Sequence, residues 1–600
     1  MKKFGVLLLL LLVIGSTSCS AGNLTSSAPS STATSSTPNI STTAPITSKS
    51  PTGPQYGGIL TYVQGTDPMG FDEAYSVHQN VTTASLTQDT LMIGDWAKGP
   101  AGTNEVDWKN GFIGRISLMT GSLATSWETP DDETIIYHIR PGVHFALNTN
   151  SEASRLVNGR EVTADDVVFS INRAFTTKTS YHYTSYTVPG NAPTSVKAVD
   201  KYTVEVKTLK TMHGLMVVVC GGFLWTWPQE VINKYGDMKD WKNSVGSGPF
   251  MLTDYVAGSS MNFVRNPNYF GTDPLHTTNR LPYLSGVKML IIADLSTRLS
   301  ALRTGKIDMM SQVSWEDATS LISTNPGLKY STKYMTATFP VGRMDKPELP
   351  FKDIKVRQAL NMAIDKQSIL KEYYGGHGAL LGYPWPPTST YSEIYTPMEQ
   401  QSQAVKDLFI YDPERAKQLL TDAGYPDGFI TYVICDSTTD QSDLLEILRE
   451  QLLKVKVDMR IQPKEGGVYL SIMRGRTHEE MIMKNAVDFS FPFRMLMVRK
   501  ESTDDPAFFE SDFTRQAYNE ISALVGVDDA AVNKRLKEVG KFSLEQAWGI
   551  WMPAPEVYDF WQPWVANYHG EIDVGYYSST ADRIFDWVCV DQSLKQSIGR

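Results

Sequence analysis

The chain has 600 residues, a formal net charge of −10 and 41% hydrophobic residues, an ordinary balance for a globular protein. The acidic balance, with no block of Lys and Arg, argues against a nucleic-acid partner and mainly indicates solubility. The length from Gly57 onward suggests about three or four domains with sizeable cores.

Lys2 and Lys3 precede an apolar run from Phe4 to Ile14, broken only by Gly5, and small polar residues lead on to Cys19. This is the order of a secretory signal. The run is shorter than the about 20 apolar residues that a membrane-spanning helix needs. Cys19 resembles the lipobox cysteine of bacterial lipoproteins, whose thiol is lipidated and which becomes the new N-terminus. That pattern prefers Leu three positions earlier, where this chain has Ser16. Residues 1–19 are therefore expected to be a lipoprotein signal peptide. Residues 20–56, rich in Ser, Thr, Pro and Ala, hold too little apolar surface to offset the entropy of ordering and read as a tether. Cys220, Cys435 and Cys589 remain. Two of the three could pair in an exported protein, and the sequence does not choose which.

From Gly57 the chain alternates strand-like and helix-like segments. Ile59–Gln64, Thr134–Ile139, Thr203–Leu209, Val287–Ala293 and Ile430–Cys435 are β-rich. Thr163 with Asp166 three residues on predicts a helix start, followed by Val167, Val168, Ile171 and Phe175 on its buried face. Asp353 opens a second predicted helix carrying Val356, Leu360, Ala363, Ile364 and Leu370, with Gly375 as its stop. Asp412-Pro413 opens a third, with Leu419, Leu420 and Ala423 as its stripe and Gly424 as its end. Asp440 to Val455 is a fourth and leads into the strand-like Val457 to Gln462. The mixture predicts an α/β protein of several domains.

Motifs of catalysis are missing. Gly246-Ser247-Gly248-Pro249 lacks the lysine of a phosphate loop, and His478-Glu479-Glu480-Met481 lacks the second His of a zinc-protease helix. There is no G-x-S-x-G elbow. The acid pairs Asp131/Asp132, Asp165/Asp166 and Asp504/Asp505 read as caps, turns or solvated faces, because adjacent side chains point different ways. The nine histidines are scattered. No metal or cofactor is expected.

A series of segments carries a family resemblance. Gly57-Gly58-Ile59-Leu60-Thr61 with Asp67-Pro68 comes first. Then come Leu123-Ala124-Thr125-Ser126-Trp127-Glu128, Ile139-Arg140-Pro141-Gly142-Val143-His144-Phe145 and Asn158-Gly159-Arg160-Glu161-Val162-Thr163-Ala164-Asp165-Asp166. Gly246-Ser247-Gly248-Pro249-Phe250, Arg265-Asn266-Pro267-Asn268-Tyr269 and Ala301-Leu302-Arg303-Thr304-Gly305 follow. Val356-Arg357-Gln358-Ala359-Leu360-Asn361-Met362-Ala363-Ile364-Asp365-Lys366 and Asp412-Pro413-Glu414-Arg415-Ala416 complete the series. In this order, over most of Gly57 to about Gly428, they resemble the extracellular solute-binding proteins of the peptide/nickel ABC-importer family. The chain departs from the pattern at an insertion, Ala146 to Val157, at a longer Lys98 to Arg115, and at Asp488-Phe489-Ser490-Phe491-Pro492, which lacks the tryptophan usual before this segment.

The resemblance implies a two-lobed periplasmic-binding-protein-like fold with an extra domain on lobe one. By analogy lobe one is 57–94, 245–331 and 553–600, the extra domain 95–244 and lobe two 332–552, with the hinge near Thr332 to Val341 and Gly549 to Pro555. It further implies that a solute, expected to be a peptide, is captured outside the cell and delivered to an ABC permease by hinge closure. The chain is expected to act as a monomer, anchored to the outer face of the cell membrane or periplasmic, and not as an enzyme. Asp488 stands where the family segment places a carboxylate for the ligand ammonium. Arg494 could serve a ligand carboxylate or neutralise Asp488. Tyr383, Trp385, Phe491 and Trp561 are the aromatic candidates, each as suited to the core as to a cavity wall. An oligosaccharide, an opine-like compound or a nickel chelate is the alternative ligand class. An exported hydrolase and a purely structural surface protein are the remaining alternatives. For the anchor, Cys19→Ala is expected to release the protein from membranes into the medium, and a variant that still fractionates with membranes would remove the lipid anchor.

Overall fold

A computed structural model describes residues 53–68, 70–75, 83–109, 115–335, 337–437, 439–485, 505–572, 574 and 583–600. Among them the largest sheet has eight strands. In spatial order it runs Lys329–Tyr334, Ala554–Trp561, Met309–Val313, Ile59–Gln64, Gly286–Ile291, Ser260–Arg265 and Phe250–Val256, with the short Gly378–Ala379 paired to the start of Ala554–Trp561. Ile59–Gln64 runs parallel to both of its neighbours, and the other pairs are antiparallel. Strand alternation assigns the two faces. Val63, Met310, Tyr558 and Phe560 pack with Leu299, Leu302, Ala318 and Leu321 of helices Leu295–Arg303 and Trp315–Thr324. Leu60, Tyr62, Met309 and Trp561 belong to the main core, where Tyr62 meets Phe585 edge-on.

A second sheet orders Thr338–Gly342, Met481–Asn485, Phe429–Asp436 and Val457–Lys464. Its central strand Phe429–Asp436 is parallel to Val457–Lys464 and to Met481–Asn485. A third, wholly antiparallel sheet orders Ala124–Asp131, Thr134–Ile139, Thr203–Lys207 and Ser195–Asp200. Helix Ala164–Thr176 lies against it, and the Asp166 carboxylate accepts the Thr163 N–H at 3.0 Å. The third sheet is pinned to the N-terminal segment by a buried ion pair, Arg173 on Asp72 at 2.9 and 2.6 Å, and by Trp227 Nε1 donating to Glu73 at 2.7 Å.

Two local expectations change in detail. The insertion Ala146 to Val157 folds into helix Glu152–Val157, with Ser151 accepting the Ser154 N–H and Ser154 Oγ donating to Ala146 O. The single helix expected from Asp353 to Gly375 is broken. Ile354–Met362 ends at Ala363, Asp365 caps a new turn at Lys366–Ser368, and a wider turn Ile369–Tyr373 follows. Lys366 sits at the break. Its buried ammonium turns inward to donate to Asn361 O and Leu408 O, at the C-terminal ends of helices Ile354–Met362 and Gln403–Leu408, where carbonyls lack intrahelical partners. Burial lowers its pKa to about 7. Cys220, Cys435 and Cys589 are buried free thiols, so none of the possible disulfides is formed.

A buried ionic cluster joins distant parts of the chain. Arg583 donates to Ser85 O, Gln88 O and Asp89 Oδ1 at 3.1 to 3.3 Å and lies 3.3 Å from Asp586 Oδ2. Ser247 Oγ donates to Asp89 at 2.9 Å, and Tyr269 Oη sits 3.4 Å from both carboxylates. Two acids share one guanidinium, so burial raises the pKa of each, that of Asp586 to about 7. Removing the guanidinium would strand two buried charges, and Arg583→Met is expected to cost about 3–5 kcal/mol. A carboxyl whose folded pKa is raised favours folding fully below its unfolded pKa of 3.8, and this contribution is lost as pH rises through about 7. The melting temperature of the wild type relative to Asp586→Asn should therefore fall between about pH 4 and about pH 8. A difference independent of pH would show that Asp586 does not titrate in this range.

Candidate functional site

The chain crosses between the first and second sheets twice. It leaves Lys329–Tyr334 and enters Thr338–Gly342, then returns from helix Asp529–Glu545 through Gln546 to Pro553 into Ala554–Trp561. The crossings are tied together and braced. Met335 N–H donates to Pro555 O at 2.8 Å and Ile550 N–H to Pro340 O at 3.1 Å. Buried Asn361 holds the return segment through Gly549 O and Trp551 N–H, each at 2.9 Å, and Arg357 donates to Gln546 O.

On the side of the second sheet an aromatic box forms beneath the crossing. Tyr383 stacks face to face on Trp551, with centroids 4.3 Å apart and planes within 4°. Trp548 and Phe339 stand edge-on to the same ring. Trp385 is also buried and packs against Gly540, where an added Cβ would meet its ring at 3.1 Å. Tyr383 Oη, Ser543 Oγ and Trp548 Nε1 are buried together and pair with one another only weakly, and Asp505 Oδ2 is buried nearby. Burial holds the carboxyl of Asp505 well above the usual range, although its other oxygen accepts the Ala507 N–H at 3.0 Å. Burial raises the pKa of the Tyr383 phenol, Ser543 and Trp548 offset part of that rise, and Asp505 adds a smaller one. Close by, Phe508 lies between the guanidiniums of Arg343 and Arg476, 4.1 and 3.7 Å from its ring centre. Burial and Arg343 lower the His478 pKa to about 4, leaving the ring neutral.

On the side of the first sheet Ser331 and Asp559 face each other across paired strands. Asp559 Oδ1 accepts the Gln312 N–H at 3.0 Å and Oδ2 lies 3.9 Å from Lys333 Nζ. Trp561 meets Tyr568 edge-on at 4.8 Å. Ser331 Oγ, Asp559 Oδ2, Trp561 Nε1 and Tyr568 Oη are buried without a hydrogen-bond partner among the described residues. Each such atom carries a desolvation cost of about 1–3 kcal/mol that a ligand or water could relieve.

The structure brings Tyr383 and Trp385 into one half of the molecule and Trp561 into the other. Trp561 lies seven residues, about 23 Å of extended chain, beyond Ala554 at the crossing, so it does not share a small pocket with Tyr383. Asp488, Phe491, Arg494 and Cys19 lie outside the described residues. Asp505, Ser543 and Trp548 were not singled out as site residues from the sequence. Asp505 did carry a readable sign, an Asp-Pro step whose carboxylate accepts the N–H two residues on. Among the described residues no cluster of His, Cys, Asp and Glu could hold a metal ion, and no helix is long and apolar enough to cross a membrane.

Comparison with known proteins places this geometry. The family model described as bacterial extracellular solute-binding proteins, family 5 Middle, matches residues 119–506. The heme-binding protein A of Haemophilus influenzae is 28% identical over 69% of this chain and 73% of its own length. The dipeptide-binding protein of Escherichia coli is 26% identical over 71% of this chain and 75% of its own. Among solved structures, the ABC transporter-associated periplasmic binding protein DppA of Helicobacter pylori, in complex with the peptide STSA, superposes with a TM-score of 0.69 at 23% identity, covering 90% of this chain and 99% of that one. The fold is therefore the two-lobed architecture of periplasmic binding proteins.

The weakly paired hydroxyl makes the box testable. Tyr383→Ala is expected to cost about 3–5 kcal/mol through the cavity beside Trp551. Tyr383→Phe should cost less than about 1 kcal/mol, because the hydroxyl pairs only weakly with Ser543 and Trp548. A loss above about 1 kcal/mol for Tyr383→Phe would show that Ser543 or Trp548 pairs fully with that hydroxyl.

Proposed function

Because the chain belongs to family 5 of the bacterial extracellular solute-binding proteins, we propose that it captures a peptide outside the cell and hands it to the permease of an ABC importer. The observation that carries the reading is the family match across residues 119–506, which runs through the third sheet, the first crossing and the second sheet as far as the Asp505-Pro506 step. The names of two relatives, a dipeptide-binding protein and a binding protein solved with a bound peptide, support the ligand class.

In this reading lobe one is 57–94, 245–331 and 553–600, the extra domain is 95–244 and lobe two is 332–552. The strands that cross near Thr332 to Val341 and Gly549 to Pro555 act as the hinge. Ligand shifts the lobes toward closure only through contacts it makes better in the closed state. A shift from mostly open to mostly closed takes about 5 kcal/mol of such preference. Main-chain hydrogen bonds to an extended peptide supply part of it. A buried carboxylate facing the peptide ammonium supplies more. Asp488 and Asp505, at the two ends of one segment, are the acids proposed for this role, with Arg494 for a ligand carboxylate. Tyr383, Trp385, Phe491 and Trp561 are proposed to shape the surroundings. A lipidated Cys19 and the tether 20–56 would keep the lobes near the permease.

The first experiment is mass spectrometry of small molecules released by denaturing the purified protein, with thermal shifts against peptide and sugar panels. Co-purified or stabilising peptides support the reading, because a ligand of the native state raises the melting temperature by mass action. A response to sugars alone would replace the ligand class. If Asp505 meets the ammonium, its raised pKa means that binding ionises it and releases a proton, so affinity for a free-amino peptide should increase with pH while that for the N-acetylated peptide stays flat. Asp488→Asn and Asp505→Asn should separate the two acids. The true anchor loses about 100-fold or more for the free-amino peptide and little for the acetylated one. Equal losses for both peptides would remove that residue from the role.

A further inference from the structure

The four unpaired polar atoms on the side of the first sheet share one face of it. Strand alternation puts Asp559 and Trp561 on the same face of Ala554–Trp561, and Ser331 stands directly opposite Asp559 on Lys329–Tyr334. Tyr568 and Gly570 lie over this face. Tyr568 meets Trp561 edge-on, and an added Cβ on Gly570 would lie 2.4 Å from Ser331 Oγ and 3.8 Å from Trp561 Cη2. Gly570 holds a φ of 99°, in the region that favours glycine. Asp559, Trp561, Tyr568 and Ser331 are only 2%, 5%, 5% and 9% exposed.

The neighbouring backbone is bent toward Asp559. Strand Met309–Val313 bulges between Met310 and Val313, where Gln312 takes a φ of 61° and turns its N–H onto Asp559 Oδ1 at 3.0 Å. One carboxylate oxygen is thereby fixed while the other, Oδ2, has no hydrogen bond among the described residues. Lys333, itself buried, stands 3.9 Å from Oδ2 and offsets its charge without reaching hydrogen-bond distance. Glu571, the other buried acid within electrostatic reach of Tyr568, is occupied by the His569 N–H at 2.7 Å and the His569 ring at 3.2 Å. What stays open is one strict donor, the Trp561 indole N–H, one strict acceptor, Asp559 Oδ2, and two hydroxyls able to do either. A group that completes this set must donate and accept at one end and carry no charge. A primary carboxamide does so. A main-chain amide presents its N–H and C=O on opposite sides, and an ammonium or a carboxylate meets only half of the set and buries a further charge. The strands that carry Ser331 and Asp559 run into and out of the crossing, where Met335 N–H donates to Pro555 O.

We propose that Ser331, Asp559, Trp561 and Tyr568 form a subsite in lobe one for a carboxamide side chain, asparagine or glutamine, of the bound solute. The inference rests on the peptide reading and names the side-chain chemistry that the peptide supplies at one position. A pocket whose buried polar groups need a partner rejects a ligand that lacks it, so the subsite acts on specificity.

The test is titration calorimetry of the purified protein with tripeptides that carry glutamine or asparagine at each position of an alanine background in turn. Methionine, leucine, glutamate and lysine counterparts and trialanine complete the panel. At one position the carboxamide peptide should bind about 10-fold or more tightly than its apolar counterpart of similar shape and than either charged one. Ser331→Ala and Tyr568→Phe each remove one hydroxyl and little volume. Each should cut that advantage by about 3-fold or more while the apolar peptide binds as before. Equal affinity for carboxamide and apolar peptides at every position would overturn the subsite. So would an advantage that both variants keep in full, which would make the four groups part of the fold alone, and so would a preference for lysine or glutamate. Either variant decides the matter if the other does not fold. If no tripeptide binds, the peptide reading falls and the subsite with it, whereas binding without discrimination removes the subsite and leaves the peptide reading intact.

Discussion

The packing of the chain around the largest sheet depends on a single buried guanidinium. Arg583 comes from the C-terminal end of the chain, yet its partners are backbone carbonyls near Ser85 and Gln88, the carboxylates of Asp89 and Asp586, and the phenol of Tyr269. A charge buried this deeply is tolerable only when several acceptors meet it in fixed positions. That requirement selects one relative placement of three segments that lie up to 498 residues apart in sequence. Those segments in turn place Gly246 to Pro249 beside Thr87 and Gln88, where two glycines allow the backbones to touch. The entry to the third sheet, the outer strands of the first sheet and the C-terminal segment all converge there.

The two flanks of the crossing show the opposite economy. Around Tyr383 and around Trp561 polar atoms are buried but incompletely paired. A protein selected only for stability would replace such groups by apolar ones or complete their hydrogen bonds. A protein that must hold a solute for a time and then release it benefits from groups whose pairing is finished by the passenger. The aromatic box supplies rigid walls, since Tyr383, Trp551, Trp548 and Phe339 fix one another by stacked and edge-on contacts. Lys366 and Arg357 behave differently. Each is buried but donates to backbone carbonyls at helix ends or turns, and their work is architectural.

What could be read from the sequence was local. The start of helix Ala164–Thr176 at Thr163, the Asp412-Pro413 opening and the strand at Ile59–Gln64 follow from side chains within a few residues of one another. The family resemblance added the two-lobed fold. Partnerships across long separations could not be read. Nothing near Asp505 announces that Tyr383 will lie within its electrostatic reach, and nothing near Ser331 names Asp559 as its partner. The break after Met362 was likewise invisible in the periodicity of Val356, Leu360 and Ile364, because the contacts of Lys366 there reach Leu408, far along the chain.

The strand Ala554–Trp561 occupies an interior place in the largest sheet, between Met309–Val313 and Lys329–Tyr334. A ribosome therefore cannot deliver a finished lobe one until almost the whole chain has emerged, because the interior of that sheet stays vacant and its two neighbours have nothing to bridge them. Pairings of such long range are slow to form. The order of strands works as a timer that lets the largest sheet lock only after this late segment has arrived.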